Sequence, residues 1–192
     1  MDPVFTLQWP EFLLANRLQK LLPKSQGFSV LVPASRQEKG IDLAIVRKQI
    51  NSKSRVVTIQ IKASRTYAQV PPKRETTTQR MRFHTWFNRF DVPEEADLFL
   101  LFGMYAPDAS KTTKVGPEWY RDCTLLFTLH EMKDFMSTCL TVGGKHDRMF
   151  GFGFNDDSKI VQTRGDKDRR GRDFTRYLLD NRIGLIKKKL GA

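Results

Sequence analysis

The chain has 192 residues, of which 40% are hydrophobic and 11% aromatic, which is enough to bury the core of one domain and excludes wholesale disorder. Lys and Arg number 33 against 21 Asp and Glu, which gives a net charge of +12 and a pI of about 9.9. A basic excess of this size favours polyanions such as nucleic acids, because their binding releases condensed counterions. A protein that is basic for no functional reason is the alternative.

The cysteines and the apolar runs predict the cellular setting. Cys123 and Cys139 are too few for a disulfide framework and lack zinc-ligand spacing, so we expect two reduced, buried thiols. No apolar run reaches the roughly 18 residues that a membrane span needs. The N-terminal residues lack a charged leader followed by a long apolar stretch. We therefore expect a cytoplasmic protein with no membrane partner.

The first elements are a helix and three strands. Residues 10–22 have the leucine spacing of an amphipathic helix, and Glu11 near its start suits the positive end of the helix dipole. Residues 28–33 predict a short strand. Residues 41–47 and 55–62 alternate between apolar and polar positions and predict a hairpin with a polar connection.

The middle of the chain is less regular. Residues 65–82 are polar and basic and predict a loop that becomes helical near Thr78. The aromatic residues of segment 83–90 have helical spacing, which predicts an apolar helix face buried in the core. The alternative is that these rings stack on nucleic-acid bases.

The second half of the chain predicts two more strands and a helix. Residues 96–105 and 123–129 are nearly all apolar, as strands covered on both faces are, and a helix follows over 130–139. The remaining predicted elements are a strand over 149–154, a charged loop over 163–173, and a basic helix over 174–190 with a break at Gly184. The order predicts an α/β fold with a single sheet whose strand ends meet at one edge, where functional sites form.

The alternation within the hairpin predicts its register. One face carries the apolar set Ile41, Leu43, Ile45, Val57, Ile59 and Ile61. If the turn centres near residue 51, paired residue numbers sum to about 102, which places Asp42 opposite Gln60 with side chains roughly 5 Å apart. Lys62 lies on the same face, two residues further on. A slip by one residue would move this polar set into the apolar layer, so the pattern defines the register.

A carboxylate, a carboxamide and an ammonium group at one end of a hairpin suit phosphodiester hydrolysis. Mg²⁺ or Mn²⁺ prefers oxygen ligands, which Asp42, the Gln60 side chain and the Ile61 backbone carbonyl could supply. Lys62 could orient or deprotonate the attacking water, or stabilise charge in the transition state. Glu11 is the candidate for a further carboxylate. The alternatives are a surface ion pair between Asp42 and Lys62, and a helix-dipole role for Glu11.

These residues resemble the motif of the PD-(D/E)xK nuclease superfamily, which includes restriction endonucleases, Mrr-like enzymes and archaeal Holliday junction resolvases. Asp42 matches the first acidic ligand and Lys62 the motif lysine, while Gln60 replaces the usual acidic residue, as in the Mrr-like branch. Glu11 matches the helix-borne glutamate of the resolvase-like branches. The resemblance implies one nuclease-like domain with an αβββαβ core over about residues 10–140 and a basic C-terminal extension over about 141–192.

The resemblance implies a Mg²⁺-dependent or Mn²⁺-dependent endonuclease that acts on double-stranded DNA, and many such enzymes are homodimers. We predict that nine further residues contact nucleic acid: Ser64, Arg65, Lys73, Arg74, Arg164, Lys167, Arg169, Arg170 and Arg172. Ser64 and Arg65 could instead only open the loop, and the residues from Arg164 to Arg172 could form an ordinary solvated loop.

Two other functions remain open at this point. A nuclease fold whose catalytic site has decayed would act as a nucleic-acid-binding module, and Gln60 in place of an acid supports it. A basic structural protein bound to RNA or to a larger assembly is the third hypothesis. The scattered histidines and the glycines of the segment GFGF have no catalytic or nucleotide-binding context.

Overall fold

The computed structural model describes residues 9–33, 40–48, 53–68, 81–105, 121–155, 159–168 and 170–192. Its helices are α1 (Trp9–Leu21), α2 (Leu129–Thr138) and α3 (Leu179–Lys189). Its strands are β1 (Phe28–Leu31), β2 (Leu43–Arg47), β3 (Arg55–Ser64), β4 (Thr66–Ala68), β5 (Phe83–Asn88), β6 (Leu98–Tyr105), β7 (Arg121–Thr128), β8 (Met149–Phe154) and β9 (Ile160–Arg164). The fold is therefore mixed α/β.

The strands form two sheets. The first, which we call the main sheet, has five strands in the order β1-β2-β3-β6-β7. Its strands are antiparallel except for β3 and β6, which run parallel. The second sheet has the order β4-β5-β8-β9 and is antiparallel throughout. The sequence predicted one sheet, so the second sheet is a correction.

The predicted hairpin register is confirmed. Leu43 pairs with Ile59, and Arg47 pairs with Arg55, which is the register expected for the two strands. Residues of β2 and β3 alternate between buried and partly exposed positions, apart from Gln60, which is buried together with its neighbours Ile59 and Ile61. The register follows from this alternation, since only one alignment brings both apolar sets to the same face.

Each face of the main sheet has its own core. One core joins α1 and α3 to residues such as Leu43, Ile59 and Leu100. The other joins α2 and the second sheet to Phe99, Leu101 and their neighbours. Helix α2 begins at a capping box in which Thr128 and Glu131 bond reciprocally, which satisfies backbone N–H groups at its first turn.

The main chain passes from one sheet to the other at Arg65, between β3 and β4. Close packing of the sheets depends on Gly103 of β6. A Cβ atom at this position would lie 2.5 Å from the Thr85 Oγ1 atom and 3.1 Å from the Thr66 Oγ1 atom. These two hydroxyls are hydrogen-bonded to each other at 2.8 Å, so the threonines of β4 and β5 rest on a bare stretch of backbone.

Several predicted elements differ from the structure. The aromatic segment is the strand β5 and not a helix. Helix α3 begins only at Leu179 and continues through Gly184 without a break, after a 3₁₀ turn at Thr175–Tyr177. Between β3 and β6, where an αβββαβ order requires a helix, the described residues form β4 and β5. The helix predicted near Thr78 falls outside the described residues.

The residues predicted as a C-terminal extension supply β8 and β9 to the second sheet and α3 to the main sheet. Arg182 Nη2 of α3 lies 2.8 Å from Glu131 Oε1 of α2, and Asp180 is bonded to Arg17 of α1 at 2.8 Å. The C-terminal elements thus pack on both layers of the domain. Within the part of the chain that the structure describes, no helix has the length and apolarity of a membrane span.

Candidate functional site

Asp42 lies just before β2 and bonds to β3 through both its backbone and its side chain. Its N–H donates to the Ile59 carbonyl at 2.9 Å. Its Oδ2 atom accepts a hydrogen bond from the Ile61 N–H at 2.6 Å. The Asp42 carboxylate therefore accepts a backbone N–H of β3 at the position where β2 provides no further backbone acceptor. Sequence and structure agree in bringing Asp42 to the Gln60–Lys62 segment.

Gln60 is a polar side chain inside the fold. Only 8% of its surface is exposed, and it lies beside Phe99 in the parallel pair of β3 and β6. Among the described residues, no donor bonds to its buried Oε1 atom. An unsatisfied buried acceptor costs about 1–3 kcal/mol, so a cation or a water at this oxygen would recover much of that free energy.

Lys62 points its ammonium group at an aromatic ring. Its Nζ atom lies 5.0 Å from the centre of the Phe90 ring, in a cation–π contact. Phe90 stacks in turn on Phe99, with ring centres 6.3 Å apart. Phe90 was not predicted as part of the site, because nothing in the sequence places it over β3. The ring holds the ammonium group on the face of the sheet that carries Gln60.

The donor set fits a hard cation of modest affinity. Asp42 offers an anionic oxygen, Gln60 an unsatisfied neutral oxygen, and the Ile61 carbonyl is a further candidate. Across the described residues, no group of three His, Cys, Asp or Glu side chains is arranged to hold a metal ion. A cation here would consequently depend on neutral oxygens and water for much of its shell. We expect weak binding, with Mg²⁺ or Mn²⁺ the best match.

Glu11 lies in the first turn of α1 and is partly exposed. Helix α1 packs on the face of the main sheet that carries Leu43 and Ile59, whereas Gln60 occupies the alternate position on β3. Helix α1 and Gln60 therefore lie on opposite faces of the main sheet, and the role of Glu11 as a ligand stays a prediction.

A segment that the sequence did not single out borders the site. Asp97 Oδ2 accepts the Thr58 N–H at 2.9 Å, and the Thr58 hydroxyl donates to the Glu95 carbonyl at 2.7 Å. Gly40 passes close to Pro93 with a positive φ of 80°, since an added Cβ would lie 3.0 Å from the Pro93 Cβ atom. The residues before β6 therefore stabilise the end of the hairpin that carries Asp42.

A cleft of about 580 Å³ opens next to Lys62, at the end of β3. Its lining is basic and aromatic: Lys62, Ser64, Arg65, Tyr67, Trp86 and Arg89 are among its residues. The Ser64 hydroxyl donates to the Trp86 carbonyl and so joins β3 to β5. Arg65 is exposed. Both residues were predicted nucleic-acid contacts, and both lie in the cleft wall.

Trp86 lies outside the core that the sequence predicted for it. It is half-buried, and its ring packs across Gly151 of β8, where an added Cβ would lie 2.2 Å from the Trp86 Cδ1 atom. Gly151 is the cross-strand partner of Trp86, so the segment GFGF supplies a flat surface for an aromatic ring. The ring of Tyr67 stacks on the ring of Trp86.

The basic residues of the C-terminal loop are largely bonded within the fold. Arg164 Nη2 lies 3.3 Å from Asp147 Oδ1. Arg172 donates to Gln162 Oε1 at 3.0 Å and to the Thr138 hydroxyl at 3.2 Å. Lys167 and Arg170 are exposed. Of the other predicted contacts, Lys73, Arg74 and Arg169 lie outside the described residues.

The prediction of buried, unpaired cysteines is confirmed, and His84 and His130 each have a partner within the protein. Cys123 and Cys139 are buried free thiols, and burial raises the pKa of both, that of Cys139 to about 12. Burial lowers the pKa of His84, whose Nε2 atom lies 2.9 Å from the Met81 carbonyl oxygen. His130 forms an exposed pair with Asp134 at 3.1 Å.

No family model, curated protein or solved structure matches the chain. Its own residues are therefore the basis for inferring its function.

Proposed function

We propose that this chain is a divalent-metal-dependent endonuclease that hydrolyses phosphodiester bonds in DNA. One observation carries the proposal. The Asp42 carboxylate accepts the Ile61 N–H between a glutamine with an unsatisfied buried oxygen and a lysine on the same strand. The Asp42 side chain thus bonds to the strand segment that carries Gln60 and Lys62, and the PD-(D/E)xK resemblance implies such an arrangement.

The strand topology gives further support. An antiparallel run of β1, β2 and β3 is followed by β6, which lies parallel to β3. A meander followed by a parallel strand is the order that the resemblance implies for the nuclease core. The crossover differs, because its described residues form strands of a second sheet. The fold class is compatible with a nuclease, and the motif residues Asp42, Gln60 and Lys62 are the reason for proposing DNA hydrolysis in particular.

The roles of the residues follow from their chemistry. Asp42, Gln60 and the Ile61 carbonyl would hold the cation, and Glu11 is a predicted helper. When bound, the cation supplies charge neutralisation at the phosphate and a more acidic water. Lys62, held by Phe90, would orient the attacking water, accept its proton or stabilise the developing negative charge. Attack by water would form a new P–O bond as the bond to the leaving sugar oxygen breaks, and that oxygen takes up a proton. This single step would invert the configuration at phosphorus and form no covalent enzyme intermediate.

The test is cleavage of supercoiled plasmid DNA with Mg²⁺ or Mn²⁺. Asp42→Asn keeps an oxygen that can accept the Ile61 N–H but removes the charge, so it isolates ligand chemistry from folding. We expect Asp42→Asn, Asp42→Ala and Lys62→Ala each to lower the cleavage rate at least about 100-fold. Asp134→Asn, an exposed carboxylate on α2, is the matched control. Equal cleavage by the wild type and the three site variants would contradict the proposal.

A nucleic-acid-binding module without catalysis is the second candidate. Two observations favour it: Gln60 contributes no charge, and its oxygen is buried. In that case salt-sensitive binding would persist in chelator, and Asp42→Ala would leave the affinity unchanged or raise it by removing a negative charge. The same Asp42→Ala variant therefore separates the two functions.

A further inference from the structure

The cleft beside Lys62 combines two kinds of wall. Its basic groups are Lys62, Arg65 and Arg89, which come from β3, the corner after β3 and the end of β5. Arg89 donates from one nitrogen, Nη1, to the Cys139 carbonyl at 3.3 Å, and a guanidinium group has four further N–H donors. Its aromatic wall is Tyr67 with Trp86, whose ring centres are 5.1 Å apart at an interplanar angle of 27°. A wall of stacked rings beside cations suits a ligand that has both a flat face and a negative charge.

Tyr67 is the outer member of this stack. It is 47% exposed, whereas Trp86 is half-buried against Gly151. Trp86 is fixed by its packing, so Tyr67 rests on a rigid base and can present its outer surface to a ligand at a low cost in entropy. A nucleotide has the complementary parts, a flat base and an anionic phosphate.

We infer that this cleft takes up an unpaired nucleotide, whose base stacks on Tyr67 and whose phosphate contacts Arg65 and Arg89. In a duplex, neighbouring bases cover each other's faces, and only an unstacked base can lie on an aromatic side chain. The volume of about 580 Å³ is within the range of about 300–1,000 Å³ for sites that bury a small ligand. The substrate class is single-stranded nucleic acid, or DNA with unpaired positions.

The location of the cleft connects it to the proposed cleavage site. Lys62 belongs to both, since it lines the cleft and lies two residues along β3 from Gln60. A strand whose base occupies the cleft would pass its backbone over Lys62 towards Asp42. This inference rests on the proposed function for the position of the cleaved bond, but base binding itself requires no metal.

The experiment is fluorescence anisotropy in chelator, which prevents cleavage. The probe is a fluorescein-labelled oligothymidylate of about 12 nucleotides, compared with its duplex and with an abasic strand of equal length. We expect the oligothymidylate to bind at least about tenfold more tightly than the abasic strand, and Tyr67→Ala to remove that difference. Tyr67→Phe should retain it, because stacking needs the ring and not the hydroxyl.

Phe12→Ala is the matched control, since Phe12 is 49% exposed on α1, away from the cleft. Equal affinity for the oligothymidylate and the abasic strand would overturn the inference, as would unchanged binding in Tyr67→Ala. Base-dependent binding in a protein that cleaves no DNA would overturn the proposed function and leave this inference standing. Cleavage of plasmid without base-dependent binding would do the reverse.

Discussion

The end of the hairpin and the C-terminal loop are both polar regions that the sequence nominated for nucleic-acid chemistry, and they differ in how their groups are satisfied. In the loop, Arg164 pairs with Asp147 and Arg172 bonds to Gln162. At the hairpin, the Gln60 oxygen is buried without a described donor. The loop segment also holds a buried atom with no partner among the described residues, Thr163 Oγ1. The regions therefore differ in their neighbours: Gln60 belongs to the segment to which the Asp42 carboxylate bonds, whereas the loop arginines bond within the fold.

The difference shows that charge density alone is a weak guide to function. A cluster of arginines can be consumed by its own neighbours, because guanidinium groups readily bond to nearby carboxylates and amides. A buried polar atom that folding leaves unsatisfied costs free energy, which a bound cation or water would recover. The hairpin is the better candidate for catalysis because Asp42 bonds to the segment that holds Gln60 and Lys62. Three experiments test this comparison, and a fourth tests a buried group of the second sheet.

The largest expected effect is on cleavage. Lys62→Ala should lower the rate of plasmid cleavage at least about 100-fold, because it removes the ammonium group that we propose faces the reacting phosphate. Arg164→Gln should lower the rate less than about threefold, because an exposed ion pair within the fold contributes little. Similar losses in the two variants would remove the distinction between the regions.

The second effect is on stability, and it uses two buried glutamines. Gln162 is 0% exposed, and its Nε2 atom also donates to the Arg164 carbonyl at 3.2 Å. Gln162→Met should lower the free energy of unfolding by about 2 kcal/mol, since it leaves partners unsatisfied. Gln60→Met should change it by less than about 0.5 kcal/mol or raise it, because its oxygen has no partner to lose.

Urea unfolding followed by circular dichroism measures both variants, and the Gln60→Met protein is then assayed for cleavage. We expect a stable, inactive protein. A large destabilisation by Gln60→Met would mean that the glutamine oxygen is satisfied within the fold.

The third effect concerns the metal requirement. Gln60→Glu restores the acidic residue that the PD-(D/E)xK motif usually has at this position, and it adds an anionic ligand beside Asp42. We expect the Mg²⁺ concentration for half-maximal cleavage to fall by about tenfold, because hard cations favour charged oxygens. An unchanged or higher requirement would show that position 60 does not face the cation.

The smallest effect is a pH dependence of stability. Burial lowers the pKa of His84, although the hydrogen bond to the Met81 carbonyl opposes this shift. The folded state therefore binds a proton less readily than the unfolded state. The stability contributed by neutral His84 is present above its unfolded pKa of about 6.5 and is lost as the pH falls through the lower folded value.

His84→Gln keeps a side-chain donor for Met81 but does not titrate, so its unfolding free energy should fall less than that of the wild type between about pH 7 and pH 5. Thermal melts across this range compare the two proteins. Parallel curves would show that His84 makes no contribution to the pH dependence.

Local patterns in the sequence were sufficient to predict the main sheet and the contact between Asp42 and the Gln60–Lys62 segment. The alternation of Leu43, Ile45, Val57 and Ile59 defines the hairpin register, and the apolar runs define β6 and β7. Asp42 bonds to the Gln60–Lys62 segment because of that register. The contact between Phe90 and Lys62 could not be predicted from the sequence, because it depends on how the segment between β5 and β6 packs against β3.

The second sheet was missed for a specific reason. Phe83, Trp86, Phe87 and Phe90 have helical spacing, which hides the strand alternation in which Phe83, Thr85 and Phe87 are buried towards the core. Trp86 breaks the apolar and polar alternation because it packs outside, on Gly151. A glycine in a cross-strand position was the signal, and it can be recognised only when the partner strand is known.

Gly103 influences the width of the cleft, although it does not line the cleft. Because β4 and β5 rest directly on its backbone, the separation of the two sheets is determined by the absence of a side chain there. Tyr67 and Trp86 belong to those same two strands, whereas Lys62 belongs to the main sheet. The distance between the ring that we propose holds a base and the Lys62 ammonium group thus depends on the packing at Gly103. A single methyl group at position 103 would act as a wedge and widen the cleft without touching any residue in its wall.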